Sequence, residues 1–143
     1  MKIHIAAALA LLVSLPAIAA DAPAPRVQQV TYKSSVGSVQ FKQSIKGYQT
    51  DEYKLNAKAG QILTVDFKPS STSAYFNVIA KGSDEALFNG SIKGNHFAGP
   101  LPADGEYTVQ VYLMRNAARR DAVAKYTVTL ILADDKTNSN KAP

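Results

Sequence analysis

Tyr107-Thr108-Val109-Gln110-Val111-Tyr112-Leu113, followed after a short connector by Tyr126-Thr127-Val128-Thr129-Leu130-Ile131-Leu132, decides the fold class of this chain. Tyr107, Val109, Val111 and Leu113 occupy every second position, as do Tyr126, Val128, Leu130 and Leu132. A strand sends successive side chains to opposite faces, so period two buries one face and leaves the other polar. Moving outward, the same period recurs in Val39, Phe41 and Ile45, in Tyr53, Leu55 and Ala57, in Leu63, Val65 and Phe67, and in Phe76, Val78 and Ala80. Turn formers separate these runs: Lys46-Gly47, Ala59-Gly60, Pro69-Ser70-Ser71, Gly82-Ser83-Asp84, Asn89-Gly90, Lys93-Gly94-Asn95 and Ala103-Asp104-Gly105. The pattern predicts an all-β single domain, an antiparallel two-sheet β-sandwich of about seven or eight strands, with a closed barrel as the alternative. No helical period stands out. The Ala- and Arg-rich connector Asn116 to Ala124 suits one helical turn or an irregular loop equally.

The ends read differently. Lys2 and His4 precede an apolar run from Ile5 to Leu15, then Pro16 and the small residues Ala17 to Ala20, the form of a secretory signal over residues 1–20 cleaved after Ala19 or Ala20. The apolar run falls short of the roughly 20 residues of a spanning helix, so no membrane insertion is expected. Asp21-Ala22-Pro23-Ala24-Pro25 is a Pro/Ala spacer, the folded unit is expected from Arg26 to Ala133, and Asp134 to Pro143 is a polar tail. The chain contains no cysteine, which excludes lipidation at a cleavage cysteine, disulfides and thiol catalysis, and suits a Gram-negative periplasm. Loss of Lys2 with the signal lowers the formal charge from +5 to +4. Outside the cytoplasm that excess points to an acidic protein or an anionic envelope polymer, not to nucleic acid.

Catalytic chemistry is thinly represented. One histidine, His96, remains after the signal, in a Gly-containing turn where it reads as a solvated side chain. No Gly-x-Ser-x-Gly elbow occurs. Asp51, Glu52, Asp66 and Glu106 are the carboxylates available for a glycosidase pair, but they read as surface charges, and Asp84-Glu85 lacks the alternating spacing of a calcium loop. No catalytic residue, metal or cofactor is therefore expected. Arg115-Asn116-Ala117-Ala118-Arg119-Arg120 departs from this background, because it concentrates three of the four arginines directly after a strand. Arginine's planar fork pairs carboxylates in two-point geometry, so the segment suits an acidic concavity, although a solvated connector has the same composition. Tyr48, after Gly47, is either an exposed interface anchor or a core residue at the rim.

Residues 45–53 (Ile45-Lys46-Gly47-Tyr48-Gln49-Thr50-Asp51-Glu52-Tyr53), Ala57-Lys58-Ala59-Gly60-Gln61, residues 101–107 (Leu101-Pro102-Ala103-Asp104-Gly105-Glu106-Tyr107), Arg115-Asn116-Ala117-Ala118-Arg119 and Lys125-Tyr126-Thr127-Val128 together resemble the periplasmic inhibitors of g-type lysozyme. The Gly-Gln and Asp-Gly-Glu-Tyr pieces also look like bacterial prepeptidase C-terminal modules, which gives an envelope glycan-binding module as the alternative function. Lys-Gly-Tyr together with Arg-Asn-x-x-Arg is the more specific pair. The resemblance implies an exported β protein that binds g-type lysozyme and blocks its cleft. It assigns Tyr48, Arg115 and Arg119 as inhibitory residues and Asn116 as a polar supporter. Arg120 lies outside the matched pattern, and Ala74 to Phe97 matches least. Only the resemblance selects the g-type enzyme, and it leaves oligomeric state open.

Overall fold

The alternation around Val109 and Val111 is obeyed by the backbone: residues Gly105–Leu113 form one strand with Tyr107, Val109, Val111 and Leu113 buried. A computed structural model of the chain describes residues 22–136; the secretory signal expected at residues 1–20, Asp21 and residues 137–143 of the tail lie outside the described residues. The strands are β1 (Arg26–Gln29), β2 (Gly37–Lys46), β3 (Asp51–Ala57), β4 (Ile62–Pro69), β5 (Ala74–Ala80), β6 (Phe88–Asn89), β7 (His96–Pro100), β8 (Gly105–Leu113) and β9 (Val123–Ala133). Two short helices interrupt them, α1 (Gly90–Lys93) and α2 (Arg115–Arg119).

The strands form two sheets, one ordered β1-β3-β8-β5-β6 and the other β2-β9-β4-β7. The fold is the expected all-β sandwich, with nine strands among the described residues where seven or eight were expected. The surplus has a physical reason. All four residues of β1 are exposed and β6 has only two residues, so neither displays a buried-exposed alternation. β1 also runs parallel to β3, whereas every other pairing is antiparallel. At Asn89-Gly90 a helical turn replaces the expected simple turn. Asn89 Oδ1 accepts from the Ser91 amide, and a Cβ on Gly90 would lie 2.3 Å from the Phe76 carbonyl oxygen, so only glycine lets α1 press on β5.

Aromatic rings join the two sheets. Phe41 stacks on Tyr53 at 4.7 Å, and Phe67 meets Phe76 edge-on at 5.6 Å. With Leu55, Leu63, Val65, Val78, Val128 and Leu130 fully buried between the sheets, each such side chain contributes about 1.5–3 kcal/mol of burial. The up-and-down course of the strands gathers the connections at two poles. One holds the β2–β3 turn (47–50), the β4–β5 loop (70–73) and the β8–β9 connection (114–122); the other holds residues 30–36, 58–61, 81–87 and 101–104.

Candidate functional site

The first pole brings together the two segments singled out in the sequence. β2 ends at Lys46, the Gln49 amide donates to the Lys46 carbonyl at 3.1 Å, and the chain reverses through Gly47 and Tyr48 into β3. Gly47 has φ +60, and a Cβ there would lie 2.9 Å from Asp121 Oδ1. The left-handed φ favours glycine, and a side chain there would also have to displace the Asp121 carboxylate. Tyr48 is 48% exposed, which makes it an outward side chain and not a rim core residue.

The β8–β9 connection forms one helical turn. Its start is fixed by the Met114 amide, which donates to the Ser73 carbonyl at 2.9 Å. Ala117 and Ala118 are buried while Arg115, Asn116, Arg119 and Arg120 are exposed. Small residues sit the helix down on the core, and the long cationic ones have nowhere to go but outward. At its end the Asp121 amide donates to the Ala118 carbonyl (3.0 Å) and the Ala122 amide to the Ala117 carbonyl (3.1 Å). Asp121 has φ +51. This is the Schellman closure, with aspartate at the left-handed position usually held by glycine. The Gly47 amide donates to the Ala122 carbonyl at 3.0 Å, so the tyrosine turn and the arginine helix are stitched to each other.

Beneath the stitch lies a buried polar cluster. Asp51, 4% exposed, accepts from Arg26 Nε at 2.6 Å and Nη2 at 2.9 Å, and from the Tyr126 hydroxyl. Tyr126 has spent its proton on Asp51, so Tyr53 donates to it, at 2.6 Å. Arg26 Nη2 also reaches the Ser44 carbonyl at 2.7 Å. The cluster therefore ties β1 and β3 of one sheet to β2 and β9 of the other, at the start of β3, three residues after Tyr48. Burial, then its hydrogen bond to Asp51, pushes the Tyr126 hydroxyl pKa far up, and burial also raises that of Tyr53.

The expectation that Asp51 is a surface carboxylate is thus wrong. Parity held the signal: Asp51 shares the inward phase of Tyr53, Leu55 and Ala57. Glu52 and Glu106 flank Lys54 Nζ at 3.8 and 4.0 Å, while Asp66 lies on the other sheet and meets His96 Nδ1 at 2.6 Å. His96 is solvent-exposed as expected, but it opens β7 instead of sitting in a turn, and its ring meets Asp66. Asp84 and Glu85 lie in a turn in which the Ser83 hydroxyl donates to the Glu85 carbonyl. Among the described residues no three His, Cys, Asp or Glu side chains gather as metal ligands, and no helix is long and apolar enough to cross a membrane.

Comparison with known proteins gives this arrangement its relatives. No family model matches the chain. Over 104 residues the chain is 30% identical to the inhibitor of g-type lysozyme of Escherichia coli (strain K12), a match covering 71% of this chain and 77% of that protein. The chain belongs to the family of g-type lysozyme inhibitors. Its fold is similar to the crystal structure of Aeromonas hydrophila PliG, a periplasmic inhibitor of g-type lysozyme, at 36% identity and a TM-score of 0.66, covering 76% of this chain and 99% of that one. The pre-peptidase C-terminal domain of a Bacillus anthracis collagenase has a TM-score of 0.50 at 17% identity, covering 76% of this chain and 94% of its own, and shares the fold alone. In this chain the Gly47-Tyr48 turn and the Arg115–Arg119 helix meet at a single pole.

Proposed function

We propose that the protein is a periplasmic inhibitor that blocks g-type lysozyme without catalysis, placing Tyr48, Arg115 and Arg119 in the active-site cleft with Asn116 as a polar supporter. Its relatives' inhibitory activity and the secretory signal expected at residues 1–20 support the compartment and the partner. The observation that carries the contact residues is the stitched pole: four exposed motif side chains, none bonded to another described side chain, on two segments locked by the Gly47 to Ala122 hydrogen bond.

The chemistry of the partner suits them. Hydrolysis of a glycosidic bond uses carboxyl groups in a cleft, and an arginine fork offers such a group two charge-assisted hydrogen bonds. Tyr48 supplies a flat apolar face with a polar tip, suited to a wall shaped for sugars. Because the buried Ala117-Ala118 pair and the Schellman closure already fix α2, little ordering cost is left for binding.

The test is a lytic assay with purified g-type lysozyme. Arg115→Ala or Arg119→Ala is expected to weaken inhibition by about 2–5 kcal/mol, roughly 30- to 5,000-fold, with the thermal midpoint unchanged. Full inhibition by the double variant would remove these residues from the interface.

A further inference from the structure

The outer face of the four-stranded sheet carries a basic strip that leads into the same pole. Register places Lys42 of β2, Thr127 of β9 and Lys68 of β4 in one row across the sheet. The next row toward the pole holds Ser44 and Lys125, and the last holds Lys46 and Val123, directly before Gly47 and Tyr48. Lys42, Lys68 and Lys125 line an open groove of ≈ 580 Å³ whose walls include Pro69 and Tyr126. All four lysines are exposed, and none takes part in a salt bridge among the described residues. The acid on this face of the described strands is Asp66, and His96 already occupies it. The groove floor is fixed where β4 leaves the sheet: the Ser70 amide donates to the Lys125 carbonyl at 2.7 Å, and the Lys125 amide to Ser70 Oγ at 3.0 Å.

Like charges gathered on one face raise the local positive potential, which attracts a partner of opposite charge and steers its approach. Neighbouring strands lie about 4.8 Å apart, so Lys42 and Lys68 rise from backbones about 10 Å apart on either side of β9. They frame a shallow, open trough in which an acidic segment can lie between the two lysines. Because the strip ends at the Tyr48 turn, whatever enters the trough also abuts what the tyrosine and arginines touch.

We propose that this lysine-lined groove is a second contact surface for g-type lysozyme, seating an acidic segment of the enzyme beside its cleft. The proposal rests on the inhibitor reading above. The groove adds charge-guided encounter and register to a contact whose anchors are Tyr48 and the arginines.

The experiment compares four forms of the full mature chain for association with, and lytic inhibition of, purified g-type lysozyme at low and high salt. They are the wild type, Lys42→Gln/Lys68→Gln/Lys125→Gln, the same three positions changed to Arg, and a control with Lys33→Gln/Lys58→Gln/Lys81→Gln. The control removes equal charge from exposed positions in the loops of the opposite pole. Thermal unfolding midpoints, expected to agree, check that all four fold. The groove Gln variant is expected to associate about tenfold or more slowly at low salt, with the difference vanishing near 1 M salt, where the Debye length is about 3 Å. The Arg variant and the opposite-pole control are expected to keep at least half the wild-type rate. Equal losses in the groove and control variants would reduce the effect to net charge and overturn the proposal. So would a wild-type rate in the groove Gln variant, which leaves the inhibitor reading standing. Failure of the wild type to inhibit at all would instead overturn the inhibitor reading and this proposal with it. Sedimentation with peptidoglycan that needs the three lysines, alongside unchanged lysozyme association, would assign the groove to an envelope polymer and overturn the proposal as well.

Discussion

At the pole formed by residues 58–61 and 101–104, the polar motif side chains bond back to the molecule itself. Gln61 accepts from the Lys58 amide at 2.8 Å and donates to the Ser35 carbonyl at 3.1 Å and to Asp134 at 2.9 Å. Asp104 accepts from the Ala59 amide at 2.7 Å, and the Tyr107 hydroxyl donates to the Ala103 carbonyl at 2.6 Å. At the opposite pole Tyr48, Arg115, Asn116 and Arg119 leave their polar groups to solvent, and backbone bonds and buried alanines carry the local structure. Three of the six large exposed hydrophobic residues among those described lie at this pole or beside it: Tyr48, Met114 and, opening β9, Val123. Apolar exposure beside unpaired cations is the composition of a contact surface. The residues that carry the resemblance thus have two meanings, and hydrogen-bond accounting separates them: a polar group satisfied inside the molecule supports the fold, and one left outside is free for a partner.

That contrast can be broken by substitution. The largest loss of stability is expected beneath the exposed pole, where Asp51→Ala strands the buried Tyr126 hydroxyl and removes the partner of Arg26. Arg26 is 45% exposed, so water takes up part of its charge, and the loss is about 3 kcal/mol in urea unfolding. A loss below about 1 kcal/mol would mean that the cluster does not hold the two sheets together. Gly47→Ala adds a Cβ against Asp121 at a left-handed position and is expected to cost about 1–2 kcal/mol of stability. It should also weaken lysozyme inhibition, because it pushes the tyrosine turn away from the arginine helix; unchanged inhibition would show the two segments acting separately.

Alkali tests the cluster from another side. A tyrosine whose pKa is raised in the folded state holds its proton more tightly there than in the unfolded chain. Its contribution is fully present below pH about 10 and is lost as pH rises beyond it. Tyr32, pushed up to about 12 by burial, and Tyr126, raised by burial and by Asp51, should each add a slope of about 1.4 kcal/mol per pH unit above pH 10. Tyr126→Phe is expected to remove its share of that slope in urea unfolding between pH 9 and 11. The smallest effect belongs to the pole of residues 58–61 and 101–104: Tyr107→Phe should cost about 1 kcal/mol of stability and leave inhibition by the folded protein unchanged. Lost inhibition in that variant would erase the distinction between the poles.

The six apolar runs were legible because burial between two sheets imposes period two, and each became a strand, β2 to β5, β8 and β9. β1, β6 and β7 were not legible, since edge strands with few buried positions leave no period to read. The exposed arginines and Tyr48 could be picked out by composition and by resemblance. Their support could not: Asp121 looks like an ordinary loop acid until its positive φ and its contact with Gly47 are seen.

By itself the sequence determined the all-β class, the period-two strands including that of Tyr126, and the cationic character of residues 115–120, because alternation and charge are local properties of the chain. Only the tertiary structure decided that Arg26, Asp51, Tyr53 and Tyr126 share one cluster, that Gly47 meets Asp121, and that three lysines from three strands face one groove. Each of those meetings joins residues distant along the chain, and strand order and register, set by how the whole core packs, bring them within reach.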